Sequence, residues 1–550
     1  MRIVFKFLFA LSLASLTACP AQTTTPTVGK LEVKISGLPS GTNASVNVTG
    51  PAGFKQALTA TKTLSDLTAG SYSVTAANVT AGGKNYGASV TGTPATVTAG
   101  GSSSASVVYG ALRTITGKLL NGAGQPVTAA SLTGSGTTLS VKLLGSSVTI
   151  AVDSTGGFTL ADVPATYSLA VLVFQTQGQN GRIATVYQGL TRANPTLTIF
   201  ASGQPVETSN APVEGKITGG LGFPTTSITS TWVALTVPKA VSPYSNYFSP
   251  VDASTGSYFT SATWLGSDPV AANLQALQFS ADNSGKIMAY HGYVQQSINL
   301  TKQVFVPGQP TVVTKQDLAL LPVTVGNVKG AITWPTGITT PEYDVNTIAL
   351  LGGSNPIGFP LSPANGSAPV TGVAPTGFDQ LVPLVAGAKF MQIAGIREKT
   401  GSGSFGSRVS STVWKSVTSG ANTDITVPTP VDLTLPGDAT SQVGVSTTFS
   451  WKAFTGGVHR LSVYPSPPGA TPIGIQVITA GSSTTIPDLS AYGFSLSESS
   501  IHVWYVEGFA PYSSIDAATD TAGLKLPFSS TPLSDTAYST SATRSFITAP

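Results

Sequence analysis

Beyond its first residues the chain has no 11-residue window in which apolar side chains recur at helical spacing. Short runs of Val, Ile, Thr, Tyr and Phe instead alternate with Gly, Pro, Ser and Asn every ten residues or so. β-Branched and aromatic side chains fit a pleated surface, and Gly, Pro and Asn supply the turns between such runs. The pattern predicts an all-β fold of short strands. Packed cores are affordable on composition, since 41% of residues are apolar and only 9% are charged, against about 25% charged in an ordinary soluble domain. Disorder driven by high charge and low hydrophobicity is excluded.

With 550 residues, the chain exceeds what one core organises, and roughly 100–200 residues per domain implies several. A start phrase recurs: "TITGKLLNGAGQPV" from Thr114, "PVEGKITGGLGFP" from Pro212 and "NVKGAITWPTGI" from Asn327, each an apolar strand crossing a glycine and entering a Gly/Pro turn. The glycines, Gly117, Gly215 and Gly330, stand 98 and 115 residues apart, which is a domain-sized step rather than the roughly 20–50 residues of a solenoid. A closing phrase also recurs, at Thr96, Leu197, Gln303 and Lys415. Together they predict a tandem array of about five β-sandwich domains of Ig-like or prealbumin-like type, over 29–110, 111–208, 209–325, 326–428 and 429–550, each packed around its own core.

Residues 1–18 have the form of an export signal, with Arg2 and Lys6 ahead of the apolar run "LFALSLASL", which is too short to span a bilayer as a helix. Leu16, Thr17, Ala18 and Cys19 resemble a bacterial lipobox. That resemblance implies that Cys19, the only cysteine, begins the mature protein and carries the lipid that holds it to a membrane; two or more acyl chains make such attachment stable. A secretory signal with a spare thiol is the alternative, and it leaves an unpaired cysteine in an exported protein. Residues 19–28, "CPAQTTTPTV", read as a Pro/Thr-rich tether. The formal charge of +4 becomes +2 without Arg2 and Lys6, and no Lys/Arg cluster occurs, so nucleic acid is excluded as a partner.

In "GKLLNGAGQPVTAASL" and "VDSTGGFTLADVPATYSLAVLV" the second module resembles the carboxypeptidase regulatory-like, prealbumin-type sandwich, on Gly124, Pro126, Asp153, Gly157, Phe158, Val163, Pro164, Tyr167 and Leu169. Asp153 suits an Asx-type turn, while Phe158, Leu160, Tyr167, Leu169 and Val171 alternate towards a core. The first module carries Leu67, Gly70, Tyr72 and Val74 in like positions. Domains of that family are non-catalytic, which implies scaffolding or binding. The last module is similar to a fibronectin type III-like sandwich, with Phe449 and Trp451 on an early strand and Trp504 and Val506 on a later one; His502 replaces the usual aromatic residue two positions before Trp504.

Chemistry has few candidates. Of three histidines, His459 and His502 could approach across paired strands and, with Glu507, offer a metal or base site; the structural alternative is a turn-flanking and a half-buried strand residue. His291 reads as part of an exposed hairpin. "GSGSFG" at Gly401 to Gly406 satisfies the dinucleotide pattern in letters, but the following "SRVSSTVWKSV" is strand-like and supplies no helix N-terminus. No cofactor and no metal are expected. The aromatic segment around Tyr244, Tyr247, Phe248 and Trp264 could bind a sugar ring or a protein; otherwise it is a hairpin with ordinary strand aromatics.

The resulting expectation is an exported, lipid-anchored, non-catalytic scaffold or binding protein of the bacterial cell envelope, at a membrane that the sequence does not distinguish. Its partners would be the membrane through Cys19 and an envelope polysaccharide or envelope protein. The alternatives are a carbohydrate-binding or adhesion lipoprotein using the third module, and an envelope hydrolase in the third and fourth.

Overall fold

The computed structural model describes residues 28–550 except 175–180, 201–207, 239–247, 304–311, 353–356, 362–367, 370–375, 399–408, 467–472, 526–533 and scattered positions within 123–147, 267–284 and 337–340. It is an all-β tandem array of sandwiches, in two compact units, residues 1–113 and 114–550.

In the first unit, Val28–Ser36 pairs antiparallel with Lys62–Thr68 and parallel with Ser102–Ala111, and Lys84–Thr91 and Val79–Ala81 extend the sheet. The opposing sheet runs Lys55–Leu58, Val46–Thr49, Gly70–Ala76, Ala95–Val97. Period-two alternation sends Leu31, Val33, Val46, Val48, Tyr72 and Val107 into the core between them. The Tyr109 hydroxyl ties the two sheets, accepting from Ser45 N at 3.1 Å.

The next three modules share one plan. Their first strands, Arg113–Asn121, Thr208–Gly219 and Thr324–Thr333, lie centrally in small sheets beside Gly157–Val163, Ser257–Leu265 and Thr376–Leu384. On the other side each pairs in parallel with a closing strand, Thr196–Ile199, Thr314–Lys315 with Leu318–Leu320, and Ile425–Thr426. The start-phrase glycines explain why the phrase recurs. A methyl group on Gly117, Gly215 or Gly330 would crowd an aromatic ring of the neighbouring strand, respectively Phe158, Tyr258 or Phe378, and the closing-strand carbonyl of Pro195, Gln316 or Thr423. Only glycine lets ring and backbone close over the strand. Ahead of Phe158, Asp153 Oδ1 accepts from Thr155 Oγ1 at 2.7 Å, Gly157 N at 2.8 Å and Thr155 N at 2.7 Å, the expected Asx-type turn, and these hydrogen bonds, the hydroxyl's first, hold its pKa low. Asp252 makes the same kind of turn ahead of Tyr258.

Each of these modules faces its small sheet with a larger one. In the second module that sheet runs Thr149–Ala151, Thr138–Leu143, Tyr167–Phe174, Arg182–Leu190. It does not end there: Arg182–Leu190 pairs in parallel with Ile473–Thr479 of the last module, whose sheet continues through Val458–Pro465 and Ile501–Ala510 to Thr536–Thr540. Thr536–Thr540 in turn pairs antiparallel with Ser410–Val417 of the fourth module. Among the described residues one 15-stranded sheet therefore crosses three modules.

Expected core residues Phe158, Leu160, Tyr167, Leu169 and Val171 are all buried, as are Phe449, Trp451, Trp504 and Val506. The expectation of separate cores holds for the first module and fails for the others. Leu169, Val171 and Val173 point into one core, while Ala170 and Leu172, on the opposite face of the same strand, point into that of the last module. Val458, Ile478 and Phe509, with Ile515, Ala518 and Leu524 from the segment after the last long strand, complete the second module's core. The third and fourth modules are joined likewise: Val233 and Leu235 face the third module's core, and Ala234, Leu277 and Phe279 pack with Val328, Phe359 and Val382 of the fourth. The cause is burial of a sheet on both faces, which requires apolar residues at odd and even positions alike.

Expressed alone, residues 111–208 would expose one face of that sheet. They are expected to bind a hydrophobic dye and to melt without a sharp transition, whereas residues 114–550 together melt cooperatively. A sharp transition for the isolated segment, without dye binding, would show that its own core suffices.

Candidate functional site

A buried polar constellation lies where the second and last modules join. Arg460 and Glu507 are direct cross-strand neighbours in the continuous sheet. Arg460 Nε donates to Glu507 Oε2 at 2.6 Å, Nη2 lies 2.5 Å from the same oxygen, and the Tyr538 hydroxyl donates to Oε1 at 2.7 Å. The guanidinium lies 3.9 Å from the ring centre of Phe200 in the second module. Arg460 is 7% exposed and Glu507 5%. Burial works against the Arg460 charge, but the Glu507 carboxylate and its hydrogen bonds prevail and raise the pKa above its ordinary value. Both carboxylate oxygens are engaged and Arg460 cannot lose its proton at ordinary pH, so the group orients strands and does not shuttle protons. Beside it, Asp516 accepts from Thr191 N at 2.9 Å, and its carbonyl accepts from Arg192 Nη1 at 3.1 Å, fixing the same seam. A charged residue in each of the apolar runs "VHRLSVY" and "IHVWYVEGF" was the signal for this pair, and sequence reasoning used only Glu507.

The His459, His502 and Glu507 site does not form. His459 lies opposite Gly508 and His502 opposite Pro465, six residues apart along Ile501–Ala510, or roughly 20 Å at about 3.3 Å per residue. His459 Nε2 accepts from Phe454 N at 2.8 Å, so the ring is neutral, and burial pushes its pKa down to about 4. His502 stacks on Phe546 with ring centres 5.4 Å apart. Among the described residues no group of three His, Cys, Asp or Glu is placed to hold a metal ion.

His291 is part-buried, not the exposed hairpin residue expected; it sits where the pairing of Val270–Ala281 with Ile287–Leu300 shifts register. Its Nε2 is 2.6 Å from Ser280 Oγ, which is 3.1 Å from Thr229 Oγ1. Burial lowers the His291 pKa. Among the described residues no carboxylate bonds to the ring, so the serine and histidine lack the third group that orients a catalytic base.

Of the aromatic candidates, Trp264 is a correction. It is fully buried, and its Nε1 donates to Asp268 O at 2.9 Å. Strand parity is the reason: in Ser257–Leu265, Tyr258, Thr260, Ala262 and Trp264 share the inward face, and Phe259, 58% exposed, faces out. Phe248 begins the edge strand Phe248–Pro250. Tyr244, Tyr247, Cys19 and the "GSGSFG" segment lie outside the described residues. A cavity of about 270 Å³ opens at the seam of the fourth and last modules, between Val413, Ile425, Pro511 and the Lys415–Asp535 ion pair.

No family model and no curated protein matches the chain. Similar solved structures include the Bacillus anthracis TIE protein, at 10% identity over 72% of this chain and 67% of that one with a TM-score of 0.15. A streptococcal ancillary pilin is 13% identical over 54% of this chain and 99% of its own, with a TM-score of 0.16. The RrgB pilus protein from Streptococcus pneumoniae is 8% identical over 80% and 72%, with a TM-score of 0.13. At such scores the likenesses carry no weight for what this chain binds or builds.

Two outcomes follow from the geometry. Trp264→Ala should destabilise by about 3–5 kcal/mol in urea unfolding, as for a buried aromatic; a change within about 0.5 kcal/mol would return Trp264 to the surface. His459 is held neutral with a pKa near 4 against 6.5 when free, so its stabilisation is complete above about pH 6.5 and falls as pH drops towards 4. The slope should be about 1.4 kcal/mol per pH unit. His459→Gln, which keeps an acceptor for Phe454 N, should make the slope shallower while His291 and His502 retain theirs, and equal slopes for both proteins would assign the response to other groups.

Proposed function

We propose that the protein is an exported, lipid-anchored, non-catalytic scaffold or binding protein of the bacterial cell envelope. The observation that carries this reading is the use made of polar groups where the second and last modules meet: Asp516 accepts from Thr191 and Arg192, and the Arg460 guanidinium, held by Glu507, packs over the Phe200 ring. Export and anchoring rest on the leader and on Cys19 as the lipid-bearing residue. The membrane is the proposed first partner, and an envelope polysaccharide or envelope protein the second, with no nucleic acid. The common plan of the second, third and fourth modules supports extending the prealbumin-type likeness to all three, within the boundaries 111–208, 209–325 and 326–428. The fibronectin type III-like assignment of 429–550 is supported by the packing of Phe449 edge-on to Trp504, ring centres 5.1 Å apart.

Carbohydrate binding or adhesion is the second reading. Burial of Trp264 narrows it to Tyr244, Tyr247 and Phe248. A hydrolase in the third or fourth module is the least supported, resting on Ser280 and His291 alone.

Replacing Cys19 by Ser should move the protein from the detergent phase to the aqueous phase, or leave its leader uncleaved. Unchanged partitioning would remove lipid anchoring, and with it the envelope assignment.

A further inference from the structure

The common plan of the second, third and fourth modules leaves one edge unequal. In each module the last strand of the larger sheet is an edge: Arg182–Leu190, Ile287–Leu300 and Ser410–Val417. Arg182–Leu190 is extended by Ile473–Thr479, and Ser410–Val417 by Thr536–Thr540. On the outer side of Ile287–Leu300 the described residues provide a single bridge, Tyr293 with Leu321, whose amides donate to each other's carbonyls at 2.9 and 3.0 Å. Since both backbone groups of Tyr293 point outward and the register to Val270–Ala281 is unbroken from Gly292 to Leu300, those of Gln295, Ser297 and Asn299 point outward too. These three residues are exposed. Edge strands are normally blunted by charge or proline. The 14 residues from Ile287 to Leu300 contain neither.

We propose that Gln295–Asn299 pairs antiparallel with the same segment of a second copy of this chain, about a two-fold axis at Ser297. Continuity with the sister modules supports a strand of this same polypeptide as the occupant, and the last-module strands that fill the equivalent edges are already engaged within the chain. The segment is also self-complementary. A two-fold at Ser297 sets Gln295 opposite Asn299, amide against amide, over a stretch that stops short of the Tyr293–Leu321 bridge. The pairing adds backbone hydrogen bonds without removing any from the existing sheet.

Cysteine substitution in the full chain carrying Cys19→Ser tests the register. Directly opposed residues that exchange hydrogen bonds have Cα atoms about 5.5 Å apart, within disulfide reach. Ser297→Cys should therefore give a covalent dimer on mild oxidation. Gln295→Cys and Asn299→Cys should each stay monomeric alone and cross-link when mixed, and the Cys19→Ser chain should sediment as a concentration-dependent dimer that Ser297→Lys disrupts. Equal cross-linking of all three single variants would mean random collision and overturn the proposal. So would absence of cross-linking at 297 in a chain whose circular dichroism is unchanged and which sediments as a monomer at every concentration.

Discussion

A β-sandwich closes its faces by packing but leaves the outer strands of each sheet with unpaired amides and carbonyls, and this chain meets that constraint by pairing the edges of one module with those of another. The last module occupies the central place. Its Ile473–Thr479 edge accepts the second module and its Thr536–Thr540 strand accepts the fourth, so modules distant in sequence become neighbours in one sheet. Once a sheet is continuous, both faces must be covered, and the small sheet of the second module lies on one face while that of the last module, Asp432–Leu435, Thr448–Lys452 and Ser483–Thr485, lies on the other. The Arg460–Glu507 pair fixes the register of Val458–Pro465 on Ile501–Ala510 inside the last module, the sheet onto which the second and fourth modules are joined. A displaced register would leave a buried charge unmatched, which is costly, whereas an all-apolar seam would tolerate the displacement.

Within the modules, the recurring unit is a glycine closed over by a ring and a carbonyl. Gly117 with Phe158, Gly215 with Tyr258 and Gly330 with Phe378 place the central strand of each of the three small sheets in the same relation to its neighbours. The Tyr258 hydroxyl adds a donation to the Gln316 carbonyl, tying ring to closing strand. The contact lets one short sequence phrase specify a three-stranded junction, because each of its parts excludes a bulkier substitute.

Much of this was legible in the sequence. Alternation in "GFTLADV" placed Phe158 and Leu160 inward, and the start phrase marked equivalent strands before their pairing was visible. The shared cores were written there too, in "YSLAVLVF" and "IGIQVIT", which are apolar at successive positions and so belong to strands buried on both faces. A continuous apolar run does not say which partner covers each face, and that partner lies some 300 residues away in sequence. Trp264 shows a different limit. Counting aromatics suggested a surface, but parity along "SYFTSATWL" sets Trp264 on the same side as Tyr258, whose ring covers Gly215. His459 and His502 sit on adjacent strands, yet antiparallel register carries them to opposite ends, and register cannot be read from either strand alone.

The scarcity of charge then acquires a mechanical sense. Exposed pairs such as Lys452–Asp432 and Lys34–Glu32 lie in water, where salt screens them, and they bear little of the load. Backbone ladders, apolar cores and the buried Arg460–Glu507 pair are screened far less, so the joined modules should be indifferent to ionic strength. Sensitivity to pH has another source, in buried imidazoles that the fold keeps neutral, and it is directed towards acid. A protein built this way keeps its shape as salt varies around it and is loosened by acid where protons reach buried imidazoles such as His459.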